Sequence, residues 1–145
     1  MGVSTDAILA FGFNLGEELP EAFQDDDDDG DSAGFEFDEW LNQKAGVVYP
    51  EGNAGIKSPE YRAYSDACKA VKAASPVDFI THCSFDYPMY FLALPGTKTR
   101  ASRGHPKAVR TPEVPSEAVA AMRKFCDENG IEWQEPSWHI FSLWG

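Results

Sequence analysis

The sequence predicts an α+β fold in which a single layer of about four strands is covered by two to three helices. Residues 77–94, VDFITHCSFDYPMYFLAL, concentrate β-branched and aromatic side chains between turn signals, which is typical of two strands joined by a turn. A strand pair that is apolar on both faces must be covered on both faces. Helical and strand patterns flank it without an internal repeat, in the order β-α-α-β-β-α-β.

The N-terminal third predicts a strand and a short helix. Residues 4–15, STDAILAFGFNL, are mainly apolar and contain a central glycine, so we expect an interior strand rather than a helix. Residues 17–24 could form one or two helical turns, which Pro20 limits. Residues 35–45, FEFDEWLNQKA, place Phe37, Trp40 and Leu41 at helical spacing before a glycine, and this predicts a short amphipathic helix.

A second helix is predicted from Ser58 to about Ala74. The start Ser58-Pro59-Glu60 combines a capping hydroxyl, a proline at the first helical position and an acid at the positive end of the helix dipole. Pro76 ends the pattern. The stripe that we expect to be buried consists of Tyr61, Tyr64, Cys68 and Val71.

The C-terminal third predicts a loop, a helix and a strand. Residues 97–114 contain a glycine and two prolines, so they are expected to form a loop or an irregular edge strand. Ser116 is the expected cap of a helix that ends at Asn129-Gly130. Its expected buried stripe consists of Val119, Met122, Phe125 and Cys126. Residues 137–144, SWHIFSLW, predict the last strand.

Length and cysteine content place the chain in a broad class. A chain of 145 residues is expected to form one domain, residues 1–145, with a mobile acidic loop at about 24–34. The cysteines Cys68, Cys83 and Cys126 show no metal or redox spacing, so we expect buried thiols of a reducing compartment. The chain has neither a basic leader nor an apolar run of about 20 residues. We therefore expect a cytoplasmic protein with no membrane partner.

The negative charge is concentrated at one end of the chain. Residues 1–44 carry 13 acidic side chains and one basic side chain, whereas the remaining 101 residues carry 11 of each. The net charge of −12 therefore lies in the first third. Five aspartates in succession repel one another and cannot offset the entropy of ordering, which is why residues 25–31, DDDDDGD, predict a solvated loop.

The acidic loop matches a calcium-binding pattern. Asp25, Asp27, Asp29 and Glu36, with Gly30 between them, fit the spacing D-x-[DN]-x-[DN]-G-x5-E, in which the acids surround one ion. A run of aspartates satisfies the first three positions automatically, and Ser32 stands where an apolar residue normally packs. Nonspecific condensation of cations is the simpler interpretation, so Ca²⁺ is the one cofactor that the sequence suggests.

The same acids could bind a protein partner. Spaced carboxylates can imitate nucleic-acid phosphates and occupy a basic groove, with an attraction that salt screens. Acidic arms that merely aid solubility are the alternative. The predicted partner is a host or phage protein, and direct binding of nucleic acid is not expected. The candidate contact residues are Asp25, Asp26, Asp27, Asp28, Asp29, Asp31, Glu36 and the aromatic Trp40.

A basic segment lies in the C-terminal half. No acid occurs between Asp86 and Glu113, whereas Lys98, Arg100, Arg103 and Lys107 all fall there. These residues could hold an anion weakly, although the segment lacks the interleaved aromatic residues that stack on single-stranded bases. The preferred interpretation is that it pairs with the acidic loop of the same molecule or of a second copy. Pairing with a second copy would give a homo-oligomer.

The sequence gives little support for catalysis, and we expect a protein that is not an enzyme. His82 and Cys83 are neighbours on a predicted strand, so their side chains point to opposite faces and cannot pair as nucleophile and base. No phosphate loop or dinucleotide fingerprint is present. A small hydrolytic enzyme that uses the acidic loop or Cys83 remains the alternative to a binding protein.

Four short motifs resemble those of a known group of proteins. These are STDAILAFGFNLGEE at the start, WLNQKAG after the acidic run, TRASRG in the basic segment and SWHIFSLWG at the end. They resemble a family of small uncharacterised proteins from bacteriophages of high-GC Gram-positive hosts. The resemblance implies a viral protein made in the cytoplasm of an infected bacterium. It implies no catalytic residues, because the family has no assigned active site.

Overall fold

The structure, a computed structural model, describes residues 4–24, 35–52 and 55–145. The fold is α+β as predicted, with three α-helices and a five-stranded mixed sheet in the described residues, in the predicted order. A short fifth strand forms where the sequence predicted a loop or an irregular edge strand. The chain divides into two compact units, of which residues 35–75 form one and the residues before and after them form the other.

The larger unit is the sheet unit, which contains the five-stranded sheet and one α-helix. After the first strand the described residues form a 3-10 turn, Glu21–Phe23, in the region for which the sequence predicted one or two helical turns. The remaining elements are β1 (Thr5–Gly16), β2 (Asp78–Ser84), β3 (Pro88–Ala93), β4 (Thr99–Ser102), α3 (Ser116–Glu128) and β5 (Ser137–Trp144).

Strand β1 is the interior strand of the sheet, as its apolar sequence predicts. One edge of β1 pairs antiparallel with β5, from Thr5 to Gly12. The other edge pairs first with β4 and then with β3. Because β3 also pairs with β2, and the end of β2 pairs with the end of β5, these four strands form a closed ring of pairings, while β4 lies outside the ring.

Gly12 lies where β1 changes partner from β4 to β3. A Cβ atom built at this position would overlap the carbonyl oxygen of Leu92 and would lie 2.8 Å from the Cα of Ala93. The two backbones can therefore approach this closely only because residue 12 has no side chain.

The core of the sheet unit is built around the predicted strand pair. Residues 77–94 contain both β2 and β3, joined by the turn at residues 85–87. Tyr90, Phe91, Leu92 and Ala93 of β3 are all buried, which agrees with a strand covered on both faces. The central apolar cluster consists of Ile8 and Ala10 of β1, Ile80 of β2, and Phe91 and Ala93 of β3. Two half-buried residues of β5, Phe141 and Leu143, pack against this cluster.

Helix α3 begins one residue earlier than its predicted cap requires. The cap position is Pro115, with no side-chain hydrogen bond, so the prediction that Ser116 caps the helix is wrong. Ser116 already has helical geometry and cannot fill the non-helical cap position. Met122, Phe125 and Cys126 are buried as predicted, whereas Val119 is only half-buried. Burial raises the pKa of the Cys126 thiol to about 11, so this cysteine is inert core.

The smaller unit, residues 35–75, is the helical unit. It contains the helices α1 (Phe37–Lys44) and α2 (Pro59–Ala74). Helix α1 buries Phe37 and Leu41 and is followed by Gly46 with φ of 73°, as its sequence predicts. The predicted cap of α2 is confirmed, because the Ser58 hydroxyl accepts a hydrogen bond from the Tyr61 amide at 3.2 Å.

The packing of α2 differs from the prediction. None of its 16 residues, all of which the structure describes, is buried. The four residues of the predicted buried stripe, Tyr61, Tyr64, Cys68 and Val71, are half-buried. The helical period was correct, but one short facing helix cannot cover the whole apolar side of a helix twice its length.

Candidate binding surface

The predicted site residues fall into two groups. Asp25, Asp26, Asp27, Asp28, Asp29 and Asp31 lie outside the described residues, and so does most of the calcium-binding pattern. Glu36 and Trp40 lie in the helical unit, at the beginning of α1 and within it. The binding surface can therefore be built from this unit.

A cleft lies on the acidic side of α1. Its volume is about 410 Å³. Glu36, Glu39 and Gln43 follow one another at intervals of three and four residues, which places them on one face of the helix. Phe37 and Leu41 point to the opposite, buried side. The full lining consists of Glu36, Asp38, Glu39, Asn42, Gln43, Val47, Tyr49 and Tyr64.

Three tyrosines form the aromatic wall of the helical unit. The Tyr49 ring, on the loop after α1, lies 5.1 Å from the Tyr64 ring and 6.2 Å from the Tyr61 ring, in edge-to-face geometry. A hydrogen bond between Tyr64 and Cys68 raises the pKa of Tyr64 above its ordinary value. Tyr64 is therefore a neutral phenol at physiological pH and adds no negative charge to the cleft.

One of the three carboxylates of the cleft has a partner within the unit. Lys72 Nζ of α2 lies 2.7 Å from Asp38 Oδ2 of α1, and both side chains are more than half exposed, at 62% and 54%. An exposed pair of this kind contributes about 0–1 kcal/mol to stability. Among the described residues, Glu36 and Glu39 have no ion-pair partner.

Trp40 is less exposed than an interaction residue was expected to be. It is half-buried, its ring stacks on Phe37 at a centroid distance of 5.8 Å, and the Lys44 ammonium lies 5.5 Å from its ring centre. Both of these contacts join the Trp40 ring to residues of its own helix. Trp40 does not line the cleft.

The basic segment is only partly available for anions. Arg100 donates hydrogen bonds through Nε, at 2.7 Å, and through its second terminal nitrogen to Oδ2 of Asp6, whose side chain is 4% exposed. The guanidinium of Arg100 holds the pKa of Asp6 below its usual value of 3.8, against the opposing effect of burial. Arg100 is therefore a structural partner of β1. Lys98, immediately before β4, and Arg103 and Lys107, after it, are exposed.

Cys83 lies in a second, smaller cleft. It is half-buried and has a left-handed backbone with φ of 72°, which a residue other than glycine adopts at a cost in strain. The cleft measures about 270 Å³, and its lining consists of Glu17, Cys83, Asp86, Tyr87, Pro88 and Met89. No histidine lines it, so a cysteine and histidine pair has no geometric support at this place.

The histidines near the sheet serve packing. His82 is buried, at 8% exposed, with its ring 4.7 Å from Phe141 and its Nε2 3.4 Å from Asn14 Oδ1. Burial lowers its pKa below the ordinary value of 6.5. His139 packs on Phe91 at 5.2 Å. His82 therefore stays neutral near physiological pH.

Among the described residues, no group of three or more histidine, cysteine, aspartate or glutamate side chains has an arrangement that could hold a metal ion. The four-residue calcium pattern stays a prediction, because three of its members are outside that set. No helix in the described part of the chain is both long enough and apolar enough to cross a membrane.

Comparison with known proteins gives no match, whether to a family model, to a curated protein or to a solved structure. The binding surface therefore rests on its own geometry. Sequence analysis identified Glu36 but missed Glu39, Asn42, Tyr49 and Tyr64. The spacing of Glu36, Glu39 and Gln43 was visible as one helical face, whereas no sequence pattern brings Tyr49 of a loop next to Tyr64 of another helix.

Proposed function

We propose that the protein is a binding protein without enzymatic activity. Its acidic surface docks onto a basic surface of a protein that normally holds nucleic acid, and so blocks that protein. The observation that carries the proposal is the location of the charge. The net charge of −12 lies within residues 1–44, and the rest of the chain is neutral.

The helical unit supports the proposal because a helix holds three of the acids of residues 1–44. Glu36, Asp38 and Glu39 are exposed at the start of α1. Carboxylates held by a helix keep a defined spacing, which imitation of a phosphate backbone needs.

The resemblance to bacteriophage proteins adds a biological setting to the proposal. A phage protein of this kind would act in the cytoplasm of an infected bacterium, and its partner would be a host or defence factor that binds nucleic acid. The hydrolytic alternative has less support, because the residues that line the cleft at Cys83 include no histidine that could act as its base. The calcium pattern stays a prediction, since three of its four acids lie outside the described residues.

The test is affinity capture of the tagged protein with bacterial lysate at about 0.1 M and about 1 M salt, between which the Debye length falls from ~10 Å to ~3 Å. A variant with Asp25, Asp26, Asp27, Asp28 and Asp29 all changed to asparagine is compared with the natural chain. We expect a partner that is captured by the natural chain at low salt, is lost from the variant, and is released by added duplex DNA.

The matched control removes five exposed acids from the sheet unit, Glu113, Glu117, Asp127, Glu132 and Glu135, by changes to the corresponding amides. It alters the net charge by the same amount and should still capture the partner. Capture that resists both salt and DNA, or that is lost equally from both variants, would contradict a specific acidic surface.

A further inference from the structure

We propose that the cleft of the helical unit binds an arginine side chain of the partner. This inference rests on the proposed function, because it names the chemical group that the acidic surface recognises. The occupant is a guanidinium group carried by a partly apolar protein segment. It is selected by carboxylates, by aromatic rings and by the size of the cleft.

The charge of the cleft is complementary to a cation. Its lining contains three carboxylates and no basic side chain. Lys72 neutralises Asp38 from outside the lining, at 2.7 Å. Glu36 and Glu39 remain without an ion-pair partner in the described residues, so the cleft keeps about two negative charges that a bound cation could compensate.

The aromatic wall favours a guanidinium group over a compact ammonium group. Tyr49 is 56% exposed although its ring contacts Tyr64, so more than half of this residue is accessible to a partner. A planar guanidinium can lie flat on such a ring and donate paired hydrogen bonds to a neighbouring carboxylate, which an ammonium cannot do in the same geometry. The amide oxygens of Asn42 and Gln43 supply further acceptors.

The cleft is larger than one side chain needs. Its volume of about 410 Å³ falls within the range of ~300–1,000 Å³ that is usual for ligand sites. Exposed Val48, at 77%, adjoins Tyr49 in the sequence, and Tyr61 is half-buried on α2. An arginine with apolar neighbours would therefore cover apolar surface that the helical unit leaves open.

The test uses the full chain and a short peptide of alternating arginine and alanine with blocked ends. The control peptide has citrulline in place of arginine, which keeps the shape and removes the charge. Binding is followed by NMR through the side-chain amide signals of Asn42 and Gln43. We expect saturable shifts with the arginine peptide and none with the citrulline peptide.

Variants locate the bound arginine. The double variant Glu36→Gln and Glu39→Gln should bind the arginine peptide about tenfold more weakly, since it removes both carboxylates of the cleft that have no ion-pair partner in the described residues. The matched control, Glu51→Gln with Asp66→Asn, removes two exposed acids of the same unit that do not line the cleft. It should bind as the natural chain does. Tyr49→Ala should weaken binding, whereas Tyr49→Phe should preserve it.

The outcomes separate this inference from the proposed function. If the peptide binding is lost when the five aspartates are neutralised but survives in the Glu36 and Glu39 variant, the cleft is not the site and the acidic binding protein still stands. If the amide signals of Asn42 and Gln43 do not move in the natural chain, the inference is wrong. If the cleft binds the peptide but no basic partner is captured, the proposed function fails and the arginine site stands.

Discussion

At the scale of single residues, the ion pair between Asp6 and Arg100 joins the interior strand to the edge of the sheet. Asp6 is buried on β1, and Arg100 of β4 supplies the only charged partner of its carboxylate among the described residues. A buried carboxylate that loses its cation is left uncompensated in a poorly solvated place. The pair therefore makes a pH-dependent contribution to folding.

The direction of this pH dependence follows from the lowered pKa of Asp6. The stabilisation is fully present above the unfolded-state pKa of about 3.8, and it is lost as the pH falls through the lower folded-state value. We expect Arg100→Gln to lower the free energy of unfolding clearly at neutral pH. The loss should be much smaller at a pH below the lowered folded-state pKa, where the Asp6 carboxyl is protonated in the folded and in the unfolded protein. Urea unfolding at the two pH values measures this.

Lys98→Gln is the matched control, because Lys98 is exposed, lies next to β4 and carries the same charge. It should change stability little at either pH. An equal loss in Arg100→Gln at both pH values would show that the Arg100 stem acts by packing and that its charge is not important.

At the scale of elements, the two long helices begin in different ways, and this gives a direct comparison of serine positions. The Ser58 hydroxyl caps α2, whereas Ser116 lies inside the first turn of α3. We expect Ser58→Ala to cost about 1 kcal/mol of stability and Ser116→Ala to change it by less than about 0.5 kcal/mol. Denaturant midpoints of the two variants measure the difference. A similar loss in both would make Ser116 a second cap.

The elements also show what the sequence could predict. The strand pair within residues 77–94, the interior strand β1 and the capped start of α2 were predictable, because each depends on local composition or a local hydrogen bond. The cap of α3 was not, since Pro115 and Ser116 are both compatible with a helix start and one residue of register decides between them. The half-burial of Tyr61 and Val71 was not predictable either, because it depends on the length of the facing helix.

The sequence likewise predicted only part of the candidate site. Glu36 is the last acid of the calcium-binding pattern, so the sequence suggested a role for it in binding. Tyr49 and Tyr64 are 15 positions apart and come together only when α1 and α2 pack. Conversely, Arg100 looked available for anions from the sequence, and only the register that places it beside β1 reveals its partner Asp6.

At the scale of the whole molecule, the two compact units differ in the depth of their cores. In the described part of the helical unit, the buried apolar residues are Phe37 and Leu41. The sheet unit buries a much larger set, including Phe13, Tyr90, Phe91 and Leu92. Because buried apolar area is the main source of stability, the helical unit should open at a lower free energy than the sheet does.

Hydrogen exchange tests this expectation and also the sequence prediction of a single domain. Amides in the middle of α2, such as Ala67 and Cys68, should exchange at least about tenfold faster than those of Phe91 and Leu92 on β3, which corresponds to ~1.4 kcal/mol in opening free energy. Equal protection would show that the two units unfold together as one cooperative domain. Faster exchange in α2 that slows when the arginine peptide binds would link the marginal packing of the helical unit to its role in binding, because a ligand stabilises the folded form that it recognises.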